Sequence, residues 1–183
     1  MNTAAIILNI IIIVLEIIGA TRSEMKLSLK TFVFYTQISN ALTFLSSILL
    51  LVFGSHPWTV LLRYTSCCFM FMTFIIVVFV LIPMYGEVKR LLFSGTGLYF
   101  HLLCPLTSIA AYVLFEDHTT LWPIPTVLTF IYGISMLYFN YIGKADGPYP
   151  FFRVHQQSKR ATLLWMTALT CLIAFLSFIL SRA

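Results

Sequence analysis

The chain has 183 residues, of which 60% are hydrophobic and only 9% are charged. A soluble domain carries roughly a quarter charged residues, so this composition excludes a water-soluble globule and indicates an integral membrane protein. The formal net charge of +5 comes from Lys and Arg in short connectors between apolar stretches. In that position they set the orientation of the chain in the membrane and contact anionic lipid headgroups. The positive charge therefore does not indicate a nucleic-acid partner.

Six apolar stretches follow one another along the chain, each near the ~20 residues that a helix needs to cross a bilayer. They do not alternate in polarity, as the strands of a membrane barrel would. The first lacks the basic start of a secretory signal, which favours a retained span. We therefore predict an all-α fold, a bundle of six transmembrane helices in a single domain over residues 1–183. The predicted spans are 4–20, 32–53, 59–85, 96–114, 121–140 and 161–181.

The basic residues are distributed unevenly over the connectors. Of the eleven Lys and Arg residues, only Arg63 and Arg182 lie on one side of the predicted bundle. The others follow spans one, three and five: Arg22, Lys26, Lys30, Lys89, Arg90, Lys144, Arg153, Lys159 and Arg160. Because basic connectors stay in the cytoplasm, we predict a multi-pass protein of the cell membrane with both termini outside the cytoplasm.

Span two carries a polar stripe on an otherwise apolar helix. Thr36, Asn40, Thr43 and Ser47 recur at i, i+4, i+7 and i+11, which places them on one helical face. Such a face must contact protein or water rather than lipid. Hydrogen bonding between helices accounts for the stripe without any further function, and a functional site is the alternative.

Two more spans carry a polar group at a similar predicted depth. Thr36 and His101 lie about four and five residues past the cytoplasmic starts of spans two and four, roughly 6 and 7 Å deep. Glu16 lies about four residues from the cytoplasmic end of span one. Pro105 lacks an N–H, so a bend is expected that frees the carbonyl of residue 101. Convergence of three helices at one level suggests a site.

The connector after span five contains Tyr149, Pro150 and Phe151, next to a Gly-Pro pair that forbids a helix. By the predicted orientation it lies on the cytoplasmic side, where Thr36 and His101 open. It either caps a cavity there or contributes interfacial aromatic side chains. The four cysteines have no metal-ligand spacing, so we predict packing roles for them and neither a metal site nor a cofactor.

These residues resemble a known family. Thr36 within F-Y-T-Q-I-S-N, His101 with Pro105 four residues on, and the Y-P-F of residues 149–151 occur in the same order in that family. It is the androgen-induced protein and androgen-dependent tissue factor pathway inhibitor regulator family, together with its small bacterial six-span relatives. The eukaryotic members are intramembrane threonine hydrolases of fatty acid esters of hydroxy fatty acids. The resemblance implies that Thr36 is the nucleophile and His101 the base.

This chemistry suits the residues. A threonine hydroxyl needs an adjacent base, which His101 can supply, and membrane lipids would provide the ester substrate. Glu16 is predicted to orient the imidazole, Asn40 to donate to the oxyanion, and Tyr149 to support the site. One alternative is a transport or binding protein for protons or small solutes, in which Glu16, His101 and the stripe form a path. Another is a scaffold without catalysis.

Overall fold

The computed structural model describes residues 2–23, 29–145 and 148–183. Within these ranges the fold is all-helical, without a strand, as predicted. The basic residue Lys26, assigned to the first connector, lies outside the described residues. The long helices are α1 (Thr3–Thr21), α2 (Tyr35–Phe53), α3 (Pro57–Tyr85), α4 (Gly95–Phe115), α5 (Pro123–Tyr141) and α6 (Lys159–Leu180).

All six predicted stretches are helical, with ends that agree to within three residues. The largest difference is at the start of α2. A 3-10 turn over Leu29–Val33 and an extended Phe34 precede the helix, so it begins at Tyr35 rather than at residue 32. The sequence reasoning extended the helix because Phe32 to Phe34 are apolar, and hydropathy does not distinguish a helix from a tight apolar turn.

Five of the helices in the described ranges are long and apolar enough to cross a membrane: α1, α2, α3, α4 and α6. The fifth helix, α5, is 19 residues long but is not among them. Two prolines, three tyrosines and Asn140 lower its hydropathy. Its length would still span about 28 Å at 1.5 Å per residue, so a six-span topology is compatible with the fold.

Two helices contain a stretch of π-helix just before a proline. Pro83 in α3 follows the π turn Val77–Leu81, and Pro105 in α4 follows the π turn Leu98–Leu103. Proline removes a backbone donor and crowds the carbonyl four residues before it. The wider turn accommodates that crowding without ending the helix. The bend expected at Pro105 is therefore realised as a local π turn that contains His101.

The helices form two layers that share α3. Helices α1, α2, α3 and α4 pack in a ring of neighbouring pairs, while α5 and α6 pack on each other and on α3. Half of the most apolar part of α3 is buried, against 28–33% for the other four apolar helices. A close approach of α1 to α4 depends on Gly19, where a Cβ would lie 2.4 Å from the Phe100 ring.

A buried ion pair joins the ring at one end, which the sequence analysis did not predict. Arg63 was assigned to the side of the outer connector, but it lies within α3 and its side chain is 1% exposed. Its Nε is 3.1 Å from the carboxylate of Glu116, just after α4, and that carboxylate also accepts a 2.7 Å hydrogen bond from Asn9 of α1. Nη1 of Arg63 donates to Ser108 of α4 at 2.9 Å. The Arg63 guanidinium and the Glu116 carboxylate thereby link α1, α3 and α4.

Candidate functional site

Thr36 lies at the first turn of α2, where it is held by the connector that precedes α6. The hydroxyl of Tyr149 accepts a 3.3 Å hydrogen bond from the Thr36 N–H and lies 3.1 Å from Thr36 Oγ1. Phe34, the residue before the helix, provides no side-chain cap, so Tyr149 satisfies one of the N–H groups left free at the helix start. Sequence reasoning placed Tyr149 near the site but did not identify this contact.

Burial raises the pKa of Tyr149 above its ordinary value, and its hydrogen bonds with Thr36 oppose that rise. The phenol therefore keeps its proton at neutral pH. Because its oxygen already accepts from the Thr36 N–H, its own O–H can donate to Thr36 Oγ1. A donor aimed at Thr36 Oγ1 stabilises negative charge that develops there.

The Thr36 side chain lines a small cavity between α2, α3, α5 and α6. The cavity offers about 40 Å³ to water-sized molecules, enough for one or two waters. Seven residues that carry a hydroxyl line it, Tyr35, Thr36, Thr73, Thr129, Tyr132, Tyr149 and Thr170, but the surface that faces the cavity is almost wholly apolar. Phe151 and Phe152 also line it, so the aromatic connector lies over a cavity, as one of the two alternatives expected. His101, which was expected to open on the same cavity, does not line it.

Asn40 lies one turn after Thr36 and is engaged with it. Its side-chain nitrogen donates to the Thr36 carbonyl at 2.6 Å, and Ser39 donates to the same carbonyl at 2.9 Å. The oxygen Oδ1 of Asn40 is buried without a hydrogen-bond partner among the described residues. The amide thus supports the backbone of Thr36, and its predicted role toward an oxyanion stays a prediction.

His101 lies in the π turn of α4, and its Nδ1 is 2.8 Å from the carbonyl oxygen of Leu91. A carbonyl can only accept, so Nδ1 carries the proton and Nε2 of the neutral ring holds the free lone pair. The π turn packs against α2, which carries Thr36. No direct hydrogen bond joins Thr36 and His101 in the described part of the chain.

Glu16 is buried in α1, 4% exposed, and contacts the Cys104 thiol of α4. It shares no hydrogen bond with His101 in the described ranges, since Leu91 orients that ring instead. Glu16 and Asn40 line one groove between α1, α2 and α4, with a volume of about 320 Å³. Glu16 therefore lies beside Asn40 in this groove and does not hydrogen-bond to the imidazole as predicted.

Thr36, His101 and Glu16 were predicted to lie at similar depths, but in the structure they lie at different distances from the ends of their helices. Since α2 starts at Tyr35, Thr36 lies only about 1.5 Å into its helix, whereas His101 lies about 9 Å into α4 and Glu16 about 7.5 Å before the end of α1. The late start of α2 accounts for the difference. Thr36 is thus the group nearest to a helix end.

No cluster of His, Cys, Asp or Glu that could hold a metal ion occurs among the described residues. Cys67, Cys68 and Cys104 are buried, as packing residues would be, but Cys171 is exposed. Arg63 and Glu116 form the polar cluster that the sequence reasoning missed. The available signal was a charged residue four positions inside the predicted span 59–85, since a charge at such a position requires a partner.

Comparison of the chain with protein-family models, with curated proteins and with solved structures found no match. The resemblance to the androgen-induced protein family therefore stays a prediction carried by the three short motifs alone.

Proposed function

We propose that the protein is a membrane-embedded hydrolase of fatty acid esters in which Thr36 is the nucleophile and His101 the base. The observation that carries the proposal is the Thr36 hydroxyl on the wall of a cavity, 3.1 Å from the Tyr149 hydroxyl. A nucleophile needs space for a reacting carbonyl, which the cavity supplies. The Tyr149 hydroxyl supplies a hydrogen bond at Thr36 Oγ1, and the donor to the carbonyl oxyanion is the predicted role of Asn40.

The proposed reaction proceeds through an acyl-enzyme. Oγ1 of Thr36 forms a bond to the ester carbonyl carbon while its proton passes to Nε2 of His101. The ester C–O bond then breaks, and the leaving alcohol takes the proton from the imidazole. Water attacks the acyl-threonine next, gives its proton to His101, and releases the fatty acid as the proton returns to Thr36.

Thr36 and His101 share no hydrogen bond in the described part of the chain, and His101 does not line the Thr36 cavity. The reaction therefore requires their hydrogen bond to form in the Michaelis complex, where catalytic hydrogen bonds that are long or poorly aligned without substrate tighten. The Leu91 carbonyl fixes the imidazole tautomer with the lone pair at Nε2, the form that a general base requires. A water molecule between the two groups would transfer the proton equally well.

An apolar groove supports access from the lipid side. It lies between α5 and α6, has a volume of about 460 Å³, and shares Met166 and Thr170 with the wall of the Thr36 cavity. The Met166 thioether packs on Gly133, where a Cβ would lie 2.8 Å from Met166 Cε. Methionine side chains are flexible, so an acyl chain in this groove could reach Thr36 by displacing Met166.

The proposal is tested with purified protein and a panel of fatty acid esters in mixed micelles. We expect free fatty acid to accumulate with at least one ester, and no release in micelles without protein. The absence of release with every ester, from protein that elutes as a single species, would contradict a hydrolase.

We expect Tyr149→Phe to lower kcat by about 10-fold with KM unchanged, the equivalent of one hydrogen bond of about 1.4 kcal/mol made to the reacting oxygen. The measurement is steady-state hydrolysis of the best ester. Tyr138→Phe is the matched control, because that side chain is 58% exposed, and its kcat should equal that of the wild type. An unchanged kcat in Tyr149→Phe would remove Tyr149 from the mechanism.

The proposed orientation has six membrane spans and both termini outside the cytoplasm. Arg63 is buried in an ion pair, so of the two basic residues assigned to the outer side only Arg182 still counts. The difference in positive charge between the two sides of the membrane is therefore larger than the sequence predicted. In a Cys171→Ser background, we expect Ser55→Cys to react with an impermeant maleimide from outside and Lys144→Cys only after permeabilisation. Reaction of both from the same side would contradict six spans.

A further inference from the structure

The two layers of the fold differ in what they bury. The main apolar cluster is built mostly from α3 and α6, with one buried side chain each from α2, α4 and α5 and three from the connectors. The interior of the α1–α4 ring instead contains polar side chains, several of them fully buried: Asn9, Asn40, Thr43, Ser47, Arg63 and Ser108. Hydrogen bonds between helices account for polar groups that find a partner, and polar groups left without one need a further explanation.

Five buried polar atoms on α1 and α2 have no hydrogen-bond partner among the described residues, although each belongs to a residue at most 4% exposed. They are Asn9 Oδ1 and Glu16 Oε1 on α1, and Asn40 Oδ1, Thr43 Oγ1 and Ser47 Oγ on α2. A buried polar group that is left unpaired destabilises the fold. Such groups are rare in native proteins, and bound water usually satisfies them.

By their spacing, the five residues lie on one face of α1 and one face of α2, and we call this set the row. Asn9 and Glu16 are seven residues apart on α1, and Asn40 and Ser47 are seven residues apart on α2, so both pairs cover about 10 Å of helix axis. Glu16 and Asn40 line one groove, which sets the two neighbouring helices in register. On α2, Asn40 and Thr43 are three residues apart and Thr43 and Ser47 are four apart, which is about 4.5 and 6 Å along the helix axis. Single water molecules bridge separations of this size.

Each end of the row reaches a cavity. At one end is the groove that Glu16, Gln37 and Asn40 line together with six apolar residues, among them Ala20 and Phe32 near the ends of α1 and α2. At the other, a cavity of about 130 Å³ is lined by Arg63, Glu116 and Asp117, and Asn9 hydrogen-bonds to that Glu116. The positive charge of Arg63 is balanced by Glu116, and Asp117 adds a negative charge. The second cavity is therefore not a barrier to cations.

Glu16 lies in this row without a cationic partner in the described ranges, because Arg63 pairs with Glu116. An isolated carboxylate buried in hydrocarbon is costly, and such a group avoids the cost by holding a proton. The titratable and charged groups at the same end of the packed elements are Cys104, which contacts Glu16, Tyr99 and His101 on α4, and Tyr35 on α2. Arg22, just after α1, stacks on the Tyr99 ring at 5.1 Å.

We propose that the α1–α4 ring conducts protons between these two cavities along a file of water, with Glu16 as the residue that binds and releases each proton. A proton from water in one cavity passes along the file and forms an O–H bond at Glu16. That bond breaks when the proton passes to water in the other cavity, so one H⁺ crosses and no electron moves. This path uses neither the Thr36 hydroxyl nor an ester.

The test is proton flux into liposomes that contain the purified protein and a trapped pH-sensitive dye, driven by a potassium gradient with valinomycin. We expect faster acidification than in protein-free vesicles. Glu16→Gln should reduce the rate to that of protein-free vesicles, because the amide cannot exchange a proton. The control Glu87→Gln changes a carboxylate that is 46% exposed and should leave the flux unchanged.

A second measurement avoids the question of whether Glu16→Gln folds. A hydrophobic carbodiimide reacts with protonated carboxyl groups in membranes, and we expect it to modify Glu16 in the native protein and to block the flux. Thr43→Val, which removes one hydroxyl from the middle of the row at nearly constant volume, should slow the flux. Flux no faster than in protein-free vesicles, or full flux after modification of Glu16, would overturn the proposal.

Discussion

We expect Thr36→Ala and His101→Ala each to lose at least about 10³-fold in ester turnover, and the double variant to lose no more than either single one. Removing a base alone costs about 10²–10⁴-fold, and a nucleophile and its base act as one unit, so their effects do not add. We therefore expect three rates that are equal within error. Thr36→Ser should retain activity, because a hydroxyl remains at the same place.

The controls for this prediction separate chemistry from folding. Thr120→Ala removes an exposed threonine and should hydrolyse the ester at the wild-type rate. Each variant is compared by its elution profile in detergent and by its thermal midpoint. A folded Thr36→Ala variant with more than a tenth of wild-type turnover would contradict the nucleophile assignment, and losses that multiply in the double variant would contradict a shared step.

Arg63→Met is expected to destabilise the fold by about 3–5 kcal/mol, the cost of removing one partner from a buried ion pair. The side chains of Arg63 and Glu116 are 1% and 2% exposed, so bulk water solvates little of the carboxylate that remains. The guanidinium also donates to Ser66 and Ser108, and methionine replaces none of these contacts. The α1–α4 ring should open at that end first.

The measurement is reversible unfolding in mixed micelles at several denaturant concentrations. Arg63→Met combined with Glu116→Gln should recover part of the loss, because the second change removes the unpaired charge. Lys89→Met, at an exposed cation, should change the unfolding free energy by less than about 0.5 kcal/mol. A loss in Arg63→Met no larger than that of Lys89→Met would show that the pair contributes little.

The helices could be predicted because each depends on a local run of apolar residues. The start of α2 could not, because Phe32 to Phe34 have the hydropathy of a span and only the backbone reveals the 3-10 turn there. The predicted polar stripe of α2 faces protein: Asn40, Thr43 and Ser47 are buried, and Thr36 is partly buried.

The partners of the polar groups could not be predicted from local pattern. Tyr149 is 113 residues from Thr36, and Arg63 is 53 residues from Glu116, so only the packing of the helices determines which groups meet. The contact of His101 with the Leu91 carbonyl depends on two successive π turns, Lys89–Phe93 and Leu98–Leu103. Hydropathy carries no signal for such turns.

The most direct test of the central claim is covalent labelling with a fluorophosphonate, which reacts with an activated hydroxyl, followed by mass spectrometry of the labelled peptide. The account predicts a phosphonyl group on Thr36 of the native protein and no labelling of Thr36→Ala or His101→Ala. Attachment to a different residue, or full labelling of a folded Thr36→Ala variant, would contradict it.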